Sequence, residues 1–306
     1  MSETRQRVVA IGECMLELSA AGDGLMRVGY AGDSVNTAVY LARLATPTGD
    51  IDIAYATAIG DDAHSDAMAG WWRSEGVSDR LAQRLPGRSP GLYLIDVDAA
   101  GERFFTYYRS EAAARETFGP DYPAGFDDEI AAAALVYLTG ISLSVVRAEH
   151  RPRLWATLQR GRAAGARIVF DTNYRPRGWP SPAAARVAIS ATVALADIAL
   201  PTYDDDALLF GDTTPEACAD RIHAAGVGEV VVKLGGRGAL VSTVDGAVLV
   251  PAERDVAVVD TTAAGDSFNA AYLLARLRGD SPVAAAAAGH RLAARVIGVP
   301  GAIAPR

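Results

Sequence analysis

The sequence predicts an α/β fold: a mainly parallel central sheet with helices on both faces, and a small β-sheet set apart as a lid. Two observations predict the main body. Short apolar runs alternate with amphipathic stretches of ten or more residues, which is the pattern of βαβ units. Of the 306 residues 50% are hydrophobic, enough to bury a large core. A third observation predicts the lid: two pairs of strand-like runs have no helix between them.

In chain order, strands are expected at residues 7–11, 53–58, 135–138, 167–170, 198–200, 229–233 and 239–241. Helices are expected between and after them, at 34–45, 65–75, 151–164, 182–195, 214–225, 263–277 and 282–297. The exceptions are 14–19 with 27–30, and 92–97 with 103–108, the second pair joined by the turn Asp98-Ala99-Ala100-Gly101. Four such strands do not fit easily into a doubly wound core. Open α/β sheets bind ligands at the carboxyl ends of their strands, so a separate sheet over that mouth would act as a lid. No internal repeat or low-complexity linker divides the chain. It reads as one unit over 1–306, with lid segments at about 13–31 and 92–109.

A net charge of −8 and a pI near 5.1 argue against nucleic acid or an anionic membrane as partner. No apolar leader opens the chain and no run approaches a membrane span, so a soluble, cytoplasmic protein is expected. Cys14 and Cys218 have no metal-ligand spacing and read as free thiols. Lys233 is the only lysine among 29 basic residues, a usage that points to a GC-rich genome rather than to a mechanism.

The most informative segment is Asp260 to Phe268, DTTAAGDSF. It follows a β-like apolar run, 256–259, and enters an alanine-rich helical stretch. Small residues at Ala263, Ala264 and Gly265 allow a tight turn that aims free N–H groups at one point, an anion site at a helix N-terminus. The same point carries a carboxylate, Asp266. An ordinary N-capping Asp would account for it locally. Phosphoryl transfer would account for it chemically: the turn holds the transferred phosphoryl while the acid orients and deprotonates a hydroxyl.

DTTAAGDSF resembles the C-terminal signature of the ribokinase-like (PfkB) sugar kinases. Gly32-Asp33-Ser34-Val35-Asn36-Thr37-Ala38 resembles the N-terminal one, and the two occur in the right order. GECMLELS at 12–19, PGLYLI at 90–95, FDTNYRPRGW at 170–179 and the final GAIAPR are similar to the branch acting on 2-keto-3-deoxygluconate. The resemblance implies a three-layer α/β/α ribokinase-like fold, ATP with Mg²⁺, a sugar acid as substrate, and a homodimer or larger assembly through the lid.

It also implies site residues. Asp266 would be the base, with Ala263, Ala264 and Gly265 as the anion hole. Gly32, Asp33 and Asn36 would meet the sugar, although Asp33 or Ser34 would equally start a helix. Asn173 and Arg175 follow a strand, where an arginine needs an anionic partner that a sugar acid supplies and a neutral sugar does not. Arg109 would be a second contact to the same carboxylate; for either arginine an exposed salt bridge is the alternative. Tyr93 and Tyr107 would meet substrate or pack the lid. Gly235, Gly238 and Thr261 would serve ATP, although the glycine-rich stretch reads equally as a β-turn; Lys233 would reach phosphate or cap its strand, and His290 would lie beside adenine or be a buried structural histidine. Asp205 would be the carboxylate for Mg²⁺, unless the run Asp204-Asp205-Asp206 merely starts a helix. No GxxxxGK[ST] occurs, which excludes a Walker-type kinase. Ribokinase or fructokinase activity, and a silent sugar-binding regulator, are the alternative readings.

Overall fold

The computed structural model describes residues 5–97 and 103–306; the expected turn at 98–101 lies outside them. Strand β1 (Gln6–Ile11) leads into two lid strands, β2 (Met15–Gly22) and β3 (Leu25–Ala31). Then come α1 (Asp33–Ala45), β4 (Ile51–Gly60), α2 (Ala63–Ser74) and two short strands, β5 (Val77–Ser78) and β6 (Ala82–Leu85). The second lid pair is β7 (Leu92–Val97) and β8 (Arg103–Tyr108). There follow α3 (Ala124–Ala131), β9 (Leu135–Thr139), α4 (Gly140–Val145), α5 (Arg151–Ala163), β10 (Arg167–Asp171) and α6 (Pro182–Val193). The chain continues through β11 (Ile198–Ala199), α7 (Tyr203–Phe210), α8 (Pro215–Ala224), β12 (Glu229–Lys233), β13 (Ala239–Thr243) and β14 (Gly246–Val250). It ends in α9 (Ala264–Leu277) and α10 (Pro282–Val296).

The main sheet runs β14-β13-β12-β11-β10-β9-β1-β4-β5, with β6 also on β4. All neighbours are parallel except β12-β13 and β13-β14. Strand side chains alternate between two cores, as a pleat requires. Val8, Ala10, Ile53 and Tyr55 pack with α1, α2, α9 and α10. Val9, Ile11, Ala54 and Ala56 pack with α3 to α8 on the other face. The three layers follow from that alternation.

The lid is a separate four-stranded sheet, β3-β2-β7-β8, in which β2 and β7 are parallel and the outer pairs antiparallel. Its inner residues Met15, Tyr93 and Ile95 pack on Ala302 of the C-terminal segment. Leu25, Met26, Val28, Phe104 and Tyr108 leave its other surface strongly apolar and exposed.

Two expectations need correction. The apolar run 256–259 forms no strand; Val258 and Val259 are exposed. The strands β5, β6 and β14 and the helices α3 and α4 were not expected. The acidic run 204–206 lies in the first turn of α7, where carboxylates favour the helix dipole.

Candidate active site

The carboxyl ends of β1, β9, β10 and β12, the start of α9 and the underside of the lid enclose a cavity of about 410 Å³. Gly32, Asp33, Asn36, Tyr93, Tyr107, Arg109, Asn173, Arg175, Lys233, Thr261, Ala263, Ala264, Gly265 and Asp266 all line it. These residues come from six separate stretches of sequence.

Helix α9 begins without a side-chain cap, and its N-cap, Ala263, is held in the left-handed region at φ 59°. An uncapped first turn leaves N–H groups for an anion. Lys233 Nζ lies 3.6 Å from where a Cβ on Gly265 would be, which adds positive charge beside the turn.

Asp266 stands in that turn. One of its carboxylate oxygens accepts from Asn36 Nδ2 at 2.8 Å, and its backbone carbonyl accepts from Thr37 Oγ1 at 3.2 Å. Burial, reinforced by the negative charge of Asp33, pushes its carboxyl up to about 8, against the Asn36 hydrogen bond. Asp33 is itself fixed: Oδ2 accepts from Thr139 Oγ1 at 2.5 Å and from Asn173 Nδ2 at 2.9 Å. Burial raises its pKa too, and the Thr139 bond works against the rise. Two carboxyl groups that share a desolvated space resist ionising together.

Gly32 starts α1 for a steric reason. A Cβ there would sit 2.1 Å from the Glu13 carbonyl oxygen. Below the cavity, Lys233 Nζ pairs with Asp171 Oδ2 at 2.6 Å, and Asn269 Nδ2 donates to the same oxygen at 2.7 Å. Asn269 also donates to Tyr137 Oη at 3.0 Å. Lys233 is thus an anchored internal ammonium, and its place beside the turn leaves it within the reach of a phosphate only as part of that network.

At the lid end, Tyr93 and Tyr107 rings lie 5.7 Å apart, and the Arg109 guanidinium sits 5.9 Å from the Tyr107 ring. The Tyr93 hydroxyl donates to Glu17. Arg109 pairs with Glu13, a residue of the GECMLELS segment to which the sequence reading gave no role.

The expectation that Arg175 lacks a partner without a sugar acid does not hold. Its Nη1 lies 2.7 Å from Asp205 Oδ2 and also donates to the Tyr174 carbonyl. The same pair engages Asp205, the expected Mg²⁺ carboxylate. Gly235, Gly238, His290 and Asp205 do not line the cavity. Gly238 has a packing reason of its own: at φ 110°, a Cβ would meet the Val250 carbonyl oxygen at 2.1 Å. His290 is buried against Phe268, ring centroids 4.9 Å apart, and burial lowers its pKa.

Sequence reasoning missed Glu13, Asp171, Asn269 and Tyr137. Asp171 and Asn269 adjoin recognised segments, and a polar residue ending an apolar strand or entering a buried helix was the available signal.

A mainly parallel three-layer sheet, a separate β lid and a carboxylate at an uncapped helix start define a carbohydrate kinase site. The chain belongs to the pfkB family of carbohydrate kinases, whose model matches residues 5–306. Among curated relatives it is 45% identical over 305 residues to the 2-dehydro-3-deoxygluconokinase of Dickeya dadantii, covering 99% of this chain and 98% of that one. It is 43% identical over 304 residues to the enzyme of the same name from Escherichia coli K12, covering 98% of each. The fold matches the solved 2-dehydro-3-deoxygluconokinase of Thermotoga maritima with a TM-score of 0.86 at 21% identity, covering 99% of this chain and 96% of that one.

Proposed function

We propose that the chain phosphorylates the primary hydroxyl of 2-keto-3-deoxygluconate with ATP, giving the 6-phosphate. One observation carries this reading: a single cavity has a buried carboxylate at an anion-binding turn, and two arginines on its lining. The relatives that share almost the whole chain bear the matching name.

Asp266 is the base. Its raised pKa makes the ionised form a stronger proton acceptor than an exposed carboxylate, so turnover should rise with pH towards 8 as that form fills. Asn36 fixes its rotamer, so the attacking oxygen is aligned rather than merely near. At the start of α9 the Ala264 N–H donates to the Thr261 carbonyl at 3.2 Å, so the Gly265 N–H is the one that stabilises the charge developing on the transferred phosphoryl. Asp33 and Asn173, hydrogen-bonded to each other, take the sugar hydroxyls. Arg109 and Arg175 take the carboxylate. A guanidinium can exchange part of its contact with Asp205 for a substrate oxygen, because its fork holds five donors.

Kinases of this family use ATP with Mg²⁺. The donor set fits an ion held mainly by phosphates and water: Asp171 is taken by Lys233 and Asn269, and one oxygen of Asp205 by Arg175. Bound there, Mg²⁺ would neutralise phosphate charge, and Asp205 would be the carboxylate to help hold it. A coupled ADP-release assay over ketoacids and neutral sugars tests the reading. Faster turnover of ribose or fructose than of 2-keto-3-deoxygluconate would overturn the carboxylate assignment and leave the fold and Asp266 untouched.

A further inference from the structure

The chain passes between the main sheet and the lid four times, and all four passages meet around one buried side chain. Glu13 lies between β1 and β2 and is 2% exposed. Gly32, just after β3, runs against its carbonyl oxygen. Gly91, just before β7, is so close that a Cβ would stand 2.7 Å from Glu13 Oε1 and 3.1 Å from Arg109 Cβ. Arg109, just after β8, forms an ion pair with the Glu13 carboxylate.

The pair is a direct charge contact, with Arg109 Nη2 against Glu13 Oε2. Burial raises the Glu13 pKa and Arg109 opposes that rise. Such a pair is a poor choice if the junction needs only to be stable. Apolar side chains of similar volume usually serve as well or better, while a carboxylate left alone there is costly. A charge kept at this cost holds something else. What it holds is a guanidinium that lines the substrate cavity, fixed on one side by Glu13 and on the other by the Tyr107 ring.

We propose that Glu13 is a positioning residue for sugar-acid recognition: it sets the Arg109 guanidinium for the substrate carboxylate and ties that setting to the seating of the lid. The proposal rests on the reading of Arg109 as a carboxylate contact. Without Glu13 the arginine keeps its charge but loses its orientation, so each binding event must order it anew.

The test is steady-state kinetics of Glu13→Gln, which keeps size and removes charge. KM for 2-keto-3-deoxygluconate should rise about tenfold while kcat and the KM for ATP stay within about twofold. The double variant Glu13→Gln/Arg109→Gln should be no worse than Arg109→Gln alone, because both changes act through one guanidinium. Additive losses, or equal rises in KM for both substrates with a lower Tm, would reduce Glu13 to a structural part. Wild type is assayed first on ketoacids and neutral sugars. No preference for the acid sinks the Arg109 reading; a preference that Glu13→Gln leaves intact sinks the present proposal. If Glu13→Gln does not fold, Glu13→Asp carries the test, since it keeps both charges and withdraws the carboxylate from Arg109. It should raise the same KM selectively, and an unchanged KM overturns the proposal.

Discussion

Replacing Asp266 with Asn should make the protein a far worse catalyst and a more stable one. The carboxyl is held near 8 in the folded chain by burial and by Asp33, against an ordinary value of 3.8. Between those values the unfolded chain ionises and the folded chain keeps its proton. Stability that is complete below 3.8 is therefore lost as pH rises, by about 1.4 kcal/mol per unit, until the folded carboxyl ionises near 8. At pH 7 the loss is on the order of 4 kcal/mol. An amide at this position stays neutral throughout and can still accept from Asn36. The variant should thus melt about 6–8 °C above wild type at pH 7, at about 2 °C per kcal/mol for a chain of this length. The gap should shrink towards pH 5 and level off above pH 8. Thermal melts of both proteins from pH 5 to 9, beside ADP-release rates, measure it. Turnover should fall on the order of 10²- to 10⁴-fold. A melting difference that is flat with pH refutes the electrostatic reasoning, and near-normal turnover refutes the base assignment.

Arg175→Met should raise KM for the sugar acid by roughly 10- to 100-fold, a moderate loss because the side chain is half exposed and already paired with Asp205. ATP affinity should hold, and a comparable loss on a neutral sugar would contradict the assignment. Ala263→Gly should keep activity and raise stability by about 0.5–1 kcal/mol, because a left-handed alanine costs about 1–2 kcal/mol, part of which the flexibility of glycine returns. A lower Tm would show that the turn is not strained. The exposed apolar face of the lid, Leu25, Val28, Phe104 and Tyr108 among it, should be covered by a second copy. Sedimentation at micromolar concentration should show a dimer or larger, and a strict monomer would exclude it.

Most of the sheet was legible because buried parallel strands are continuous apolar runs, as at Val230–Val232, and because their helices are long. β14 escaped because four of its five residues face solvent, so burial imposes no pattern on them. The run 256–259 misled for the opposite reason: it is apolar, but no strand pairs with it. In the site, Asp266 and Asn36 were legible because each sits in a local turn whose sequence shows its purpose. Their mutual contact spans 230 residues, and nothing local encodes it. Glu13 and Asp171 were not legible, because a lone acid after an apolar strand takes its meaning from the cation it meets, Arg109 or Lys233.

Lys233 has a practical consequence. It is the one lysine of the sequence, and it lies 8% exposed between Asp171 and Asn269 at the floor of the cavity. The chain's surface cations are guanidinium groups, which acylating reagents leave alone. Apart from the α-amino group, every amine-directed label must therefore enter the active site to react. Acylation read by mass spectrometry becomes a footprint of one buried nitrogen, slowed whenever a nucleotide or sugar fills the cavity above it.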